Sequence, residues 1–108
     1  MEAFMVRVFS TKEYDTWERI LQKEYGDEMN DIVKQLKESW KVGRPLGYPF
    51  FREKKFGKYR AFFLVYEKLD AVLLVTISDK KAQQDTIDQI KDDLDKYKEI
   101  IRQKLSAL

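Results

Sequence analysis

Five cationic side chains, Arg52, Lys54, Lys55, Lys58 and Arg60, fall within nine residues of this chain and bracket Phe56-Gly57, a pair of the kind found where two strands turn back on each other. Guanidinium and ammonium groups at this density hold phosphate, the arginines as planar forks and the lysines as point charges. Strand register decides whether they act together. If Lys55, Phe56 and Gly57 form a three-residue loop with Gly57 left-handed, Arg52 faces Arg60 and Lys54 faces Lys58, so all four project from one side of the ribbon. Like charges opposed in this way cost roughly 0.2–1 kcal/mol per pair, which a bound polyanion offsets. A two-residue loop of Phe56 and Gly57 would set Glu53 against Arg60 instead, at the expense of placing Phe at positive φ. The competing reading of the segment is a solvated hairpin whose lysines deter edge-to-edge association.

Aromatic residues interleave these charges: Tyr48, Phe50, Phe51, Phe56 and Tyr59. Core packing claims Phe50 or Phe51, whereas Tyr48 and Phe56 fall in predicted loops and are the candidates to stack on nucleobases, at roughly 1–3 kcal/mol per base. The charge is local. Residues 41–60 carry seven basic groups against Glu53 alone, residues 1–40 carry six basic and nine acidic groups, and the whole chain is only +2. Arg44, Lys55 and Lys58 therefore join the candidate polyanion contacts, and RNA is the polyanion that a hairpin of cations and rings fits.

Composition narrows the chemistry further. The chain has neither cysteine nor histidine. Disulfides, thiolate metal sites, imidazole dyads and zinc chemistry are thereby excluded, and no cofactor is expected. Its 108 residues suit one folding unit spanning 1–108, with 44% hydrophobic residues to build a core and 37% charged residues to cover it. No apolar run approaches the ~20 residues of a membrane helix, and Met1 to Ser10 lacks the basic n-region of a secretory signal. The expected setting is the cytoplasm, away from membranes.

The elements that must position the cations follow from periodicity. Phe4, Val6 and Val8 alternate with their neighbours as a strand. Ser10 opens S-T-K-E, a capping box that starts a helix with stripe Tyr14, Trp17, Leu21 and Tyr25 and a stop at Gly26. Met29, Ile32, Val33, Leu36 and Trp40 mark a second helix, capped by Asp27 or Asp31 and paired with the first as a helical hairpin. Gly43, Pro45, Gly47 and Pro49 then impose an irregular loop. Strands follow at Phe50 to Lys54, Lys58 to Tyr66 and Ala71 to Ile77, the last two apolar on both faces and so central in the sheet. A long helix over about Lys81 to Leu105 closes the chain, its stripe packing on the sheet or else serving a dimer or a partner helix. The expected fold class is α+β, in the order β-α-α-β-β-β-α.

This order, with G-R-P-L-G-Y-P before the basic hairpin, K-Y-R-A-F-F-L-V-Y as the second meander strand and L-L-V-T-I-S-D-K-K after it, resembles the RelE/ParE toxin superfamily in a RelE-like, archaeal-type variant. The resemblance covers nearly the whole chain. It implies a toxin of a toxin–antitoxin system, a metal-independent endoribonuclease that cuts mRNA on the ribosome by attack of a ribose 2′-hydroxyl on the adjacent phosphate. By position it implies catalytic roles for Arg60, for Lys54 or Arg52, and for Lys81, with Lys80 beside it as an RNA contact. It also implies an antitoxin protein as partner and allows a homodimer. The alternatives are a module of the same fold that binds RNA or DNA without cutting, and a protein-interaction domain for an acidic antitoxin-like peptide.

Overall fold

The computed structural model describes residues 5–108, so Phe4 of the predicted first strand lies outside the described residues. Strand β1 (Arg7–Ser10) leads into helix α1 (Lys12–Glu38), and a two-residue strand β2 (Arg44–Pro45) precedes the meander β3 (Phe51–Phe56), β4 (Tyr59–Tyr66) and β5 (Ala71–Asp79). Two helices, α2 (Gln83–Asp92) and α3 (Leu94–Ser106), end the chain. The five strands form one sheet in the order β1-β5-β4-β3-β2, with β1 parallel to β5 and every other pairing antiparallel. The two strands that read as apolar on both faces, β4 and β5, lie inside the sheet as expected.

The predicted helical hairpin takes the form of one helix broken at a single residue. A straight 27-residue helix would be about 40 Å long. Yet the Lys37 carbonyl near its end accepts from Val6 N–H, and Thr11 caps its start. Those two anchors are five strand residues apart, about 17 Å at most. The helix therefore doubles back at Tyr25 (φ −129°, ψ 17°), next to the Gly26 that marked the stop in the sequence. The cap also moves by one position: Thr11, not Ser10, accepts from Tyr14 N–H, and its hydroxyl donates to the Val75 carbonyl of β5. Thr11 wins because that second bond ties the helix start to the sheet, while the Ser10 hydroxyl turns to Asp15. The C-terminal helix likewise breaks once, at Asp93 (φ −107°, ψ 19°), between the buried Ile90 and Ile101.

Both faces of the sheet are covered. Tyr14, Leu21, Met29, Ile32 and Leu36 of α1 pack on Phe56, Ala61, Phe63, Val65, Val72 and Leu74, whereas Ile87, Ile90 and Ile101 of the last two helices pack on Phe51, Phe62, Leu64, Leu73 and Val75. The predicted strand periodicity thus sorts β3 and β4 residues to opposite sides.

One core residue carries a pH signature. The Tyr14 hydroxyl is fully buried and has no hydrogen-bond partner among the described residues. Burial, with the nearby charges of Glu18 and Asp15, holds this phenol protonated well above the usual tyrosine range. Burial also raises Tyr66 and Tyr97. A raised folded-state pKa for an acid means that the stability is present below the unfolded tyrosine pKa and is lost above it. Chemical denaturation followed from pH 9 to pH 12 should show stability falling above about pH 10, with Tyr14 alone contributing about 1.4 kcal/mol per pH unit. Tyr14→Phe should flatten that slope and leave the neutral-pH stability equal or higher, since it deletes an unpaired buried hydroxyl.

Candidate functional site

The hairpin turn decides which cations meet. In the observed register Phe56 pairs with Tyr59, Lys55 with Arg60 and Lys54 with Ala61, so the loop is Gly57-Lys58, and Arg60, predicted opposite Arg52 or Glu53, stands opposite Lys55, three or two residues further along. Gly57 is the one loop residue at positive φ (53°), as a turn with glycine first requires. The reason is aromatic. Placing Phe56 in the strand buries its ring against Tyr25 and Tyr59 at centroid distances of 5.7 and 5.9 Å, inside the fold of α1.

This register separates the predicted four. Arg60, Glu53 and Lys55 lie on the face shared with Phe62 and α2, while Arg52, Lys54 and Phe56 lie on the α1 face. Arg52 does not join a phosphate-binding group. Its guanidinium donates to the carbonyls of Val42 (3.0 Å), Gly43 (3.2 Å) and Pro49 (3.4 Å) and sits 5.8 Å from the Trp40 ring centroid, so it fixes the loop that leads into β3. Phe56, predicted to stack on a base, is buried. Lys58 is exposed at the turn near the Tyr59 ring, and Lys80 and Lys81 are exposed in the turn between β5 and α2.

What the fold does assemble is centred on a carboxylate. Glu53 is 5% exposed and Arg60 is 8% exposed, with Arg60 Nε 4.0 Å from Glu53 Oε2. Arg44, brought opposite Glu53 by the short strand β2, donates from Nε to the same oxygen at 2.9 Å. Gln83, in the first turn of α2, donates from Nε2 to both carboxylate oxygens at 2.8 and 3.0 Å. Lys55, directly across from Arg60, is exposed at the rim. Thr76 and Ser78 of β5 are buried polar residues on the same face of the sheet, Ser78 paired with Arg60, and a register shift in β5 after Leu74 turns Thr76 to the side of Val75. The result is a shallow cleft lined by Gly43, Arg44, Glu53, Lys54, Lys55, Arg60 and Gln83.

Arg44, Lys55 and Arg60 are thus gathered, Lys80 and Lys81 flank Gln83, and Arg52 is diverted. Two participants were missed in the sequence. Glu53 had a visible signal, being the lone acid among seven bases. Gln83 had none, because only the seating of α2 against β3 brings its amide to Glu53.

No protein-family model and no curated protein matches the sequence. Among solved structures, a chain of the toxin–antitoxin complex RelBE2 from Mycobacterium tuberculosis aligns with a TM-score of 0.50 at 19% identity, over 73% of this chain and 95% of that one. A chain of the chromosomal ParDE TA system from P. aeruginosa aligns with a TM-score of 0.50 at 18% identity, over 70% of this chain and 97% of that one. At such identities what is shared is the fold, and that fold is the RelE/ParE-like toxin fold which the chain's own motifs resemble.

Proposed function

We propose that this chain is the toxin of a toxin–antitoxin pair, acting as a metal-independent endoribonuclease on ribosome-bound mRNA in the cytoplasm, with an antitoxin protein as its partner. The observation that carries the reading is the gathering of Arg44, Lys55 and Arg60 around Glu53 and Gln83 on one open cleft of this fold. The likeness to chains from two toxin–antitoxin structures supports the partner.

In the proposed reaction a ribose 2′-hydroxyl attacks the adjacent phosphorus, the bond to the 5′-oxygen breaks, and a 2′,3′-cyclic phosphate and a 5′-hydroxyl result. Arg60, held in place by Glu53, stabilises the charge that gathers on the non-bridging oxygens, and Arg44 and Lys55 anchor the flanking backbone. The acceptor of the 2′-hydroxyl proton must lie beside Arg60, and Lys54, although it borders the cleft, belongs to the opposite face of the strand. Glu53 is the carboxylate there, and the donated proton returns to the leaving 5′-oxygen. Lys80 and Lys81 extend the cationic track past the start of α2.

Cell-free translation with purified protein tests the assignment. Arg44→Ala with Lys55→Ala, both at exposed positions, should weaken arrest about tenfold or more and lower the slope of log affinity against log salt by roughly 1–2, with Arg44→Lys keeping the contact to Glu53 as the control. Glu53→Gln should keep RNA association and lose cleavage. Undiminished arrest by the double variant would end the reading. A second reading, RNA binding without cleavage, is favoured by the burial of Arg60; a salt-sensitive gel shift with no cleavage product on ribosomes would select it.

A further inference from the structure

Tyr48 and Phe50 stand in solvent, 42% and 37% exposed, yet the chain holds both firmly. Their rings stack with centroids 4.8 Å apart and planes 20° from parallel, and Lys91 Nζ of α2 lies 5.8 Å from the Tyr48 centroid. The backbone beneath is pinned. Phe51 N–H donates to the Tyr48 carbonyl, Val65 N–H to the Phe50 carbonyl and Leu46 N–H to the Phe51 carbonyl, and Arg52 donates to the carbonyl of Pro49 between the rings. Leu46 and Phe51 are buried in the core as anchors on either side. Two large rings thus remain exposed although the segment is rigid enough to have turned them elsewhere, an arrangement that lowers the ordering cost of a ligand laid on them.

Their position relative to the cation cleft gives them a use. Helix α2 touches the cleft at Gln83 and the ring pair at Lys91, eight residues and about 12 Å apart. Phe50 directly precedes β3, three residues and at most about 10 Å from Glu53. Both sites therefore lie along one seam between the sheet edge and α2. The ring pair is a flat platform rather than a socket, and the Lys91 ammonium borders it. Flat rings beside a cation suit a base and its phosphate better than the apolar anchor of a protein partner, which needs a pocket.

We infer that Tyr48 and Phe50 form a base-stacking subsite, which takes an unpaired nucleobase of the RNA strand a few nucleotides from the phosphate held at Arg44, Lys55 and Arg60, with Lys91 meeting the backbone beside it. The inference rests on the proposed RNA reading and adds a second contact to it.

The test is affinity for an unpaired RNA oligonucleotide at low salt, run beside the translation assay. Tyr48→Ala with Phe50→Ala should weaken binding about tenfold or more while leaving the salt slope as in wild type, in contrast to Arg44→Ala, which lowers the slope. Tyr48→Trp should retain affinity, and the added indole fluorescence should be quenched by RNA. Equal binding by wild type and the double alanine variant overturns the inference, as does failure of wild type to bind the oligonucleotide. In either case translation arrest by wild type leaves the parent reading standing, and its absence ends that reading as well.

Discussion

Glu53→Leu should destabilise the protein by roughly 3–5 kcal/mol, more than a charge in a polybasic surface hairpin could account for. The expectation follows from what the substitution leaves behind. Arg60 is nearly buried, and Glu53 is the sole carboxylate salt-bridged to it among the described residues. Without that carboxylate a guanidinium remains in the interior with no counter-charge, and the Gln83 amide loses the acceptor that seats α2 on the sheet. For a domain of this length the loss corresponds to a fall in melting temperature of about 10–20 °C. Arg60→Leu alone should cost less, since Arg44 and Gln83 continue to hold the carboxylate. Replacing both partners removes the buried charges together, so the double variant should be more stable than Glu53→Leu. A double-mutant cycle with both single losses under about 1 kcal/mol would show that water screens the pair as it does ordinary surface pairs.

The same cluster explains how a stretch with seven bases folds at all. Arg52 is spent on three loop carbonyls and Arg44 and Arg60 on Glu53, which leaves Lys41, Lys54, Lys55 and Lys58 to repel one another from partly or fully exposed positions. Intended for phosphate or not, the arginines nearest the core carry the architecture, and the exposed cations are those free to meet a ligand.

Much of this was legible in residue order. Apolar periodicity located the strands and helices, and the two strands apolar on both faces were rightly placed inside the sheet. The register of the basic hairpin was not legible, because Gly57 permits a loop starting at any of three neighbouring positions, and the choice was made by Phe56 finding Tyr25 and Tyr59, partners some thirty residues away or across the turn. That choice places Arg52 and Lys54 on the face opposite Arg60. Similarly, local rules favour Ser10, three residues before Glu13, as the cap, and only the Val75 carbonyl of the distant β5 selects Thr11. The cation cleft was half visible: Arg44, Lys55 and Arg60 stood out by type, while the carboxylate that organises them looked like an exception in a basic run.

Gly43→Ala should disable the cleft from outside it. Gly43 adopts φ +70°, which in a residue with a side chain costs about 1–2 kcal/mol by itself. The collision is the larger matter: a Cβ here would lie 1.9 Å from the Glu53 carbonyl oxygen and 2.7 Å from its carbon, both backbone atoms within a sheet strand that cannot swing aside. Relief requires β2 to leave β3, which withdraws Arg44 from Glu53 and removes the pairing of Arg44 with Glu53 and of Pro45 with Arg52. The expected result is a fall in melting temperature of at least about 10 °C, together with faster amide exchange at the β2 and β3 edge than in the β4 and β5 interior. Gly57→Ala provides the contrast. Its φ of 53° carries a similar backbone cost, but its Cβ would meet the Tyr25 ring at 2.5 Å, a side chain at the helix break that can rotate away. The Gly57 variant should therefore lose less stability and keep its affinity for RNA, whereas the Gly43 variant should lose both. Equal effects from the two substitutions would mean that β2 is not what holds Arg44 over the carboxylate.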